Sequence, residues 1–319
     1  MPVGHGVMEL RHLRYFVAVA EAGAFSRAST RLGITQPALS RQVRDLELEL
    51  GVRLFERTGR RIQLTNHGEG LLSRSRDLLT AAAQLGEHAQ AMRGGQAGVL
   101  RIGASPQAIQ SFLAPFLARY LKPRPQIEVH LLEEGGLRLP TLVERGDVHF
   151  AFGVLRGGEP LEGRLLFAVR TLAVVSLIHR LRQRAIVDIA ELRNEPVLLL
   201  RQEFGTRDAF DGACRLARIR PRIVLESGDP QSLVALAETG RGVAIVPSTV
   251  LFAGRKIHAA PILHAGTSLG IWGSIIWDPR RFMPAYARAF VDEVTAYTRR
   301  TYPGRQFDRR APPVPRPGS

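Results

Sequence analysis

The 319-residue chain holds one cysteine, Cys214, and two lysines, Lys122 and Lys256. A lone cysteine excludes an internal disulfide framework and agrees with a reducing cytoplasm. Its simplest reading is a small helix residue, not a reactive thiol. No run of about eighteen apolar residues occurs, so no membrane span is expected. The start, Met1 to Met8, lacks the basic-then-apolar order of a secretory signal. A cytoplasmic location follows as an expectation. No Cys/His spacing suggests a metal site, so neither a metal nor another cofactor is expected. What is present is 45% hydrophobic residues and a mean hydropathy of −0.03, the composition of a soluble globular protein. The length calls for more than one domain.

The net charge of +15 is spread unevenly. Residues 1–65 carry ten arginines against six acids, and residues 66–94 are neutral. Residues 95–298 contribute +6, and residues 299–319 contribute +5 from six arginines and one aspartate. Most of the excess therefore lies outside any one site, and the scarcity of lysine marks a general arginine bias. Charge permits a nucleic-acid partner; the motifs have to argue for one.

The stretch Phe25–Leu50 reads as two helices joined by a tight turn at Gly33, which can take the positive φ such a turn needs. In the second helix Val43, Leu46 and Leu50 fall within about 40° of Leu39, giving one apolar stripe. Pro37, Arg41 and Arg44 fall on the opposite side, flanked by Gln36 and Ser40. Thr35 stands where an N-cap hydroxyl is wanted, and Pro37 lies in the first turn, where a missing N–H costs nothing. Gln pairs with adenine, Arg with guanine and Ser with base edge or phosphate, so this face suits DNA. Taken alone, the pattern also fits a helical hairpin with an ordinary solvated face. The following residues tilt the balance: 52–57, 58–61 and 62–65 read as strand, turn and strand, a wing carrying Arg57, Arg60 and Arg61. A supporting helix over Leu10–Ala22 packs Leu10, Leu13, Phe16, Val17 and Ala20 on one face. Three helices and a basic wing make a winged helix-turn-helix.

Thr65 then caps a long helix, Asn66–Met92, in which Leu71, Leu78, Leu85 and Met92 recur every seventh residue with Ser75, Ala82 and Ala89 between them. Large and small residues at alternate seam positions allow close helix–helix approach. About 27 residues at 1.5 Å each span on the order of 40 Å, too long for so small a domain to bury. The seam predicts a dimer; the competing reading packs the helix on its own chain.

Beyond Gly98 a β-α-β-α-β rhythm appears: strands 99–104, 127–132 and 148–152, with a helix opened by Ser105-Pro106 and another ending at Arg145. A second set uses strands 172–177, 197–200, 222–226 and 243–246 with helices 207–218 and 231–239. Strand 271–277 and helix 285–297 return to the first set. Ligands of open α/β sheets bind at the carboxyl ends of strands. Ser105 lies there, as helix cap or as ligand contact. Across the presumptive cleft, the loop Arg201-Gln202-Glu203-Phe204-Gly205-Thr206 offers Arg201 to a carboxylate and Phe204 as an apolar wall. Arg201 can equally pair with Glu203 or Asp208. Loops 133–136 and 227–230, the latter starting at Ser227, hold weaker candidates.

Two enzyme patterns fail on context. Gly266-Thr267-Ser268-Leu269-Gly270 has nucleophile-elbow spacing, but a strand follows it and no histidine follows His264. Gly240-Arg241-Gly242 leaves a helix for a strand, the reverse of a dinucleotide loop. No catalytic residue is expected. A transporter's solute-binding protein would account for residues 95–300 and leave the first 94 idle.

The segments Met8–Phe16, Ala24–Ser29, Leu32-Gly33-Ile34-Thr35-Gln36-Pro37-Ala38-Leu39-Ser40-Arg41-Gln42 and Leu50–Arg57 together resemble the N-terminal domain of the LysR-type transcriptional regulators, nearly unbroken over about sixty residues. The resemblance implies DNA contacts from Arg27, Thr35, Gln36, Pro37, Ala38, Ser40, Arg41, Arg44, Arg57 and Arg60. It also implies a dimerising linker helix through Leu71, Leu78, Leu85 and Met92, and a homotetramer built from homodimers. The expected partner is duplex DNA with an interrupted inverted repeat. An effector domain similar to periplasmic binding proteins would take a small anionic effector through Ser105, Arg201, Gln202, Phe204, Thr206 and Ser227. The expected division is a winged helix-turn-helix at 1–65, a linker helix at 66–94 and an α/β effector domain at 95–301. That domain splits into subdomain I (95–167 and 268–301) and subdomain II (168–267), and the tail 302–319 reads as disordered. His149-Phe150 and His179-Arg180 depart from the family's usual wording, so no relative's effector can be borrowed.

Overall fold

A computed structural model describes residues 8–58, 61–92, 98–155 and 160–316, with the backbone alone for residues 57, 58, 61, 84, 87, 88 and 90–92. The chain forms two compact units, Met1–Arg93 and Gly94–Ser319.

In the first unit, α1 (Leu10–Ala22), α2 (Phe25–Leu32) and α3 (Gln36–Leu50) precede β1 (Phe55–Thr58) and β2 (Arg61–Leu64), and α4 (Asn66–Met92) closes it. The apolar stripes meet as expected: Leu13, Phe16, Leu39, Val43, Leu46 and Leu54 are all buried. Gly33, with φ 68°, makes the turn between α2 and α3. β1 and β2 pair antiparallel with Phe55 opposite Leu64. The first strand starts three residues later than the sequence suggests. Glu47 on α3 explains this, because its Oε1 accepts from the N–H groups of Leu54 and Phe55 at 2.7 and 3.1 Å and ties the strand's entry to the helix.

Thr65 caps α4, accepting from Gly68 N–H at 3.0 Å. The first turns of α4 pack on α1 and the wing: Leu71, Leu72 and Leu79 join the core of Leu13, Phe16, Leu46 and Leu54. Leu71 is half-buried against this core, so part of its surface is taken within its own unit. Leu78 and Leu85 are 49% and 73% exposed, and the Met92 side chain lies outside the described residues.

The second unit runs β3 (Gly98–Ala104), α5 (Pro106–Ala108), a π turn at Ile109–Leu113, α6 (Ala114–Leu121), β4 (Ile127–Glu133), α7 (Leu139–Arg145), β5 (Phe150–Gly153) and β6 (Glu162–Ser176). It continues through β7 (Val187–Asp188), β8 (Pro196–Leu200), α8 (Gly205–Leu216), β9 (Arg222–Ser227), α9 (Pro230–Glu238), β10 (Val243–Pro247), β11 (Ile257–His264), β12 (Thr267–Ser268), β13 (Gly270–Trp277) and α10 (Ala285–Thr298). The strand order β4-β3-β5-β13-β6-β10-β8-β9 joins two parallel sets through antiparallel β6 and β13. One half packs Leu100, Ile102, Phe112, Phe116, Phe150 and Phe290 together. The other builds cores on both faces of its strands, around Val197, Leu199 and Phe210 and around Leu198, Leu233 and Val246.

β6 passes between the halves. Its residues 162–170 pair with β13, and residues 171–176 pair with β10 and β11. Only the continuous apolar run from Leu172 is evident in the sequence; the half-exposed start of β6 carries no such signal. β11 escapes notice because Pro261 argues against a strand interior. There it occupies the last register position on β6. The π turn lies just before Pro115, whose missing N–H and bulky ring disturb a regular α-helix at the preceding turn. Burial pushes the Cys214 thiol up to about 11, which keeps it protonated as a plain packing residue.

The tail corrects an expectation. Residues 302–316 are ordered, with a 3₁₀ turn at Arg305–Phe307 and with Phe307 and Val314 each 3% exposed. Composition suggested disorder because arginine and proline dominate; two well-placed apolar residues suffice to dock it.

Candidate DNA-reading face and ligand cavity

On α3, Thr35 accepts from Ala38 N–H at 3.4 Å and caps the helix. Thr35, Gln36, Pro37, Ala38, Arg41 and Arg44 are exposed and Ser40 half-buried, opposite the buried Leu39, Val43 and Leu46. No described acceptor takes Gln36, Arg41 or Arg44. Arg27 is exposed but partly engaged, donating through Nε and Nη2 to Ala22 O at 2.9 and 2.5 Å. Its guanidinium therefore caps the end of α1 while presenting its remaining N–H groups to solvent. A groove of about 500 Å³ between α3 and the wing is lined by Ser40, Arg44, Arg53 and Phe55. Arg53 is exposed there and adds a cation the sequence reading passed over, because it stood inside a presumed strand. Arg60 and the Arg57 side chain lie outside the described residues.

In the second unit a cavity of about 110 Å³ opens between the halves, at the carboxyl ends of β3 and β8. Phe112, Phe152, Leu166, Phe167, Val169, Leu200, Phe204 and Ile271 give it apolar walls; Ser105, Gln107, Thr206, Thr249 and Ser274 supply polar groups. Among the described residues no charged side chain lines it. Ser105 caps α5, its Oγ accepting from Ala108 N–H at 3.2 Å. Gln107 crosses the cleft, donating from Nε2 to Thr249 O at 2.8 Å.

The loop after β8 divides. Phe204, Gly205 and Thr206 line the cavity, whereas Arg201, Gln202 and Ser227 do not. Arg201 is exposed, with Nε 3.1 Å from Glu203 Oε1. Ser227 Oγ accepts from Asp229 N–H at 3.1 Å. The expected arginine clamp is thus absent from the cavity, and the surface pairing with Glu203 prevails.

What faces the cavity instead is backbone. No described hydrogen bond takes the N–H of Gly205 or Thr206, the first two residues of α8. Gly205 sits in a tight place, since a Cβ would lie 3.1 Å from Ile271 Cδ1 and 3.2 Å from Val154 Cγ2 and both would have to give way. Arg207, buried one residue on, anchors this helix start. Its Nη1 donates to Leu200 O at 2.7 Å and to Glu226, and its Nε donates to Asp211 at 2.8 Å.

The opposite wall holds a further polar group. Ser274 is 1% exposed, and no group among the described residues bonds its Oγ. The register of β13 on β6 shifts between Gly273 and Ser274. Such a bulge re-aims side chains, and both residues line the cavity.

Comparison with known proteins decides the family. Residues 10–69 match the bacterial regulatory helix-turn-helix protein, lysR family, and residues 93–299 match the LysR substrate binding domain. The chain belongs to the LysR family of transcriptional regulators. It is 36% identical over 249 residues to the HTH-type transcriptional regulator AlsR of Bacillus subtilis (strain 168), covering 76% of this chain and 81% of AlsR. The crystal structure of CbnR, a LysR family transcriptional regulator, superposes with a TM-score of 0.66 at 26% identity, over 92% of this chain and 100% of CbnR. Full-length CbnR complexed with its target DNA gives 0.65 at 27%, over 91% and 100%.

Several sequence features now have plain roles in this LysR regulator. Ser268 precedes a strand, and its hydroxyl donates to Pro312 O while accepting from Arg170 Nη1, so it is no nucleophile elbow. His149 Nδ1 accepts from Arg101 N–H at 3.1 Å, and His179 Nδ1 accepts from Leu181 N–H at 3.2 Å. Among the described residues no helix is long and apolar enough to cross a membrane. Gln107, Thr249 and Ser274 are the cavity groups that sequence reasoning missed. Gln107 was detectable one turn into the helix after Ser105; Ser274 was not, because a bulge leaves no mark in the apolar pattern.

Proposed function

We propose that the protein is a cytoplasmic, ligand-responsive LysR regulator that reads duplex DNA and takes a small anionic effector between the halves of its second unit. We divide it into a DNA-reading part at 1–65, a linker helix at 66–94 and an effector part. In the effector part, residues 95–167 and 268–301 form one subdomain and 168–267 the other. Gln36, Ser40, Arg41 and Arg44 read base edges, joined by Arg27, Thr35, Pro37 and Ala38 at the helix start and by Arg57 and Arg60 on the wing. Leu78 and Leu85, exposed on α4, seal a homodimer on an interrupted inverted repeat, and dimers associate to tetramers.

One observation carries the effector reading. An apolar cavity is lined by Gly205 and Thr206, whose N–H groups no described hydrogen bond takes, and by Ser274, whose hydroxyl no described group bonds. A carboxylate suits the start of α8, where the helix dipole adds to the free N–H groups. No cation lines the cavity among the described residues, and its apolar walls suit a ligand whose remainder is a compact apolar body with one polar group for Ser274. The volume decides the size: a dry cavity of roughly 150 Å³ admits benzene, so about 110 Å³ calls for a short-chain or single-ring acid. Ser105, Phe204 and Thr206 contact it; Arg201, Gln202 and Ser227 act only outside the cavity. The ligand shifts the two halves towards the arrangement it binds best, and the shift reaches DNA through α4.

Calorimetry with a panel of small carboxylates and their amide counterparts tests this. Acids should bind the full chain and amides should bind at least about tenfold more weakly, while Thr206→Trp should bind neither. Equal binding of acid and amide would overturn the anionic reading, and retained binding by Thr206→Trp would place the ligand elsewhere.

A further inference from the structure

The two halves are joined by two strand crossings. β6 changes partners between Arg170 and Thr171, and the chain returns at Leu269, whose carbonyl accepts from Thr171 N–H at 2.9 Å. The C-terminal segment makes a third crossing. Tyr302 leaves the first half, its ring stacked on Phe167 with centroids 5.3 Å apart and planes 13° apart. Phe307 is then buried in the second half's core with Leu172, Leu198 and Leu233. The chain next returns over the crossing strands. Arg170 is 3% exposed, and its Nη1 donates to Pro312 O and to Ser268 Oγ, its Nη2 to Ala311 O. Its Nε lies 3.5 Å from Asp308 Oδ1. Trp272 Nε1 donates to Pro315 O at 3.0 Å, and Val314 fills the space a Cβ on Gly270 would need.

Strand alternation gives this docking its meaning. Val169, Ile271 and Gly273 face the cavity, while Ala168, Arg170 and Trp272 face the segment, on the reverse of the same two strands. Phe167 belongs to both surroundings, walling the cavity and stacking on Tyr302. The match to the LysR substrate binding domain ends at residue 299, before this segment begins.

We propose that residues 302–316 are a strap that holds the two halves in their present arrangement, with Arg170 as the positioning residue at the crossing, and so sets how readily the cavity opens. This rests on the reading of the second unit as a ligand-responsive pair of halves. A hinge of two strands bends most freely when little else spans it. The strap spans it with an apolar anchor at each end of the crossing and a buried guanidinium between them. A buried charge left without partners is expensive, so the docked segment favours the arrangement of the crossing in which its carbonyls reach the Arg170 guanidinium.

The test needs no ligand. Spin labels on Arg119→Cys and Leu216→Cys, exposed positions on α6 and α8, report the separation of the halves in the full chain, with Cys214 replaced by Ala. Labelled chain is diluted in unlabelled chain so that distances within one subunit dominate. The chain with its strap should give one narrow distribution. A chain ending at Thr301 and full-length Arg170→Met should each gain a second, displaced population, the open fraction rising at least about tenfold. If the shortened chain does not fold, Arg170→Met decides alone, since methionine keeps much of the side-chain length without the hydrogen bonds. An Arg170→Met chain with native circular dichroism and an unchanged narrow distribution would overturn the strap. Because no carboxylate is present, that result would leave the effector reading standing, and a carboxylate panel without hits would leave the strap standing.

Discussion

Ser274→Ala separates the cost of a binding group from its use. Ser274 is 1% exposed, and no group among the described residues bonds its hydroxyl. An unpartnered buried hydroxyl costs about 1–3 kcal/mol; water in a polar corner of the cavity recovers part of that. Deleting one oxygen leaves a void that costs only a few tenths of a kcal/mol. The ligand-free Gly94–Ser319 unit should therefore gain about 1 kcal/mol, a rise of about 2–4 °C in its melting transition for a unit of this size. Effector affinity should move the other way, falling roughly three- to tenfold for one lost hydrogen bond. Differential scanning calorimetry of the full chain reads the first effect and isothermal titration the second. A loss of stability of 1 kcal/mol or more would show that the hydroxyl has a partner in the folded chain, and the reasoning about Ser274 would fail.

Gln36→Ala should cost about 1–3 kcal/mol against the cognate site and relax preference at one base pair, while Arg53→Ala should weaken all duplexes alike and lower the salt slope; gel-shift titrations over a range of salt distinguish the two. Replacing Leu78 and Leu85 together by Asp should yield monomers by light scattering, whereas Leu71→Asp should instead unfold the first unit, because Leu71 packs on its core. Asp278 accepts from Arg280 Nε and Nη2, both at 2.8 Å, and this pairing holds its carboxyl below the usual range. Its folded value lies below the unfolded one, so its contribution is present above the ordinary carboxylate range and is lost as pH falls through the folded value. Asp278→Asn should therefore destabilise by about 1 kcal/mol at pH 7, because solvent around the exposed Arg280 screens the pair, and the two melting curves should converge at acid pH.

The helices of the first unit were legible because each carries its own punctuation. Thr35 and Pro37 mark the start of α3, Thr65 opens α4, and the apolar stripe has a clear 3.6 period. The cavity's position was legible too, since strand ends in an α/β sheet attract ligands wherever the chain turns into a helix. Its chemistry was not. Arg201 sits at the expected strand end, yet one step along an irregular loop turned it outward to Glu203. The groups left facing inward are backbone amides, which no residue type announces. Neither the length of β6 nor the docking of the tail could be read locally. Both depend on partners more than a hundred residues away, such as Arg170 on Pro312.

The central claim joins the cavity to the DNA-reading face. A nuclease footprint of the full chain on an operator selected from random duplexes tests it most directly, run with and without a carboxylate that calorimetry has shown to bind. Two protected half-sites should appear in inverted repeat, and the acid should change the spacing or extent of protection without abolishing binding. An acid that binds the cavity at full occupancy yet leaves both footprint and operator affinity unaltered would contradict the claim.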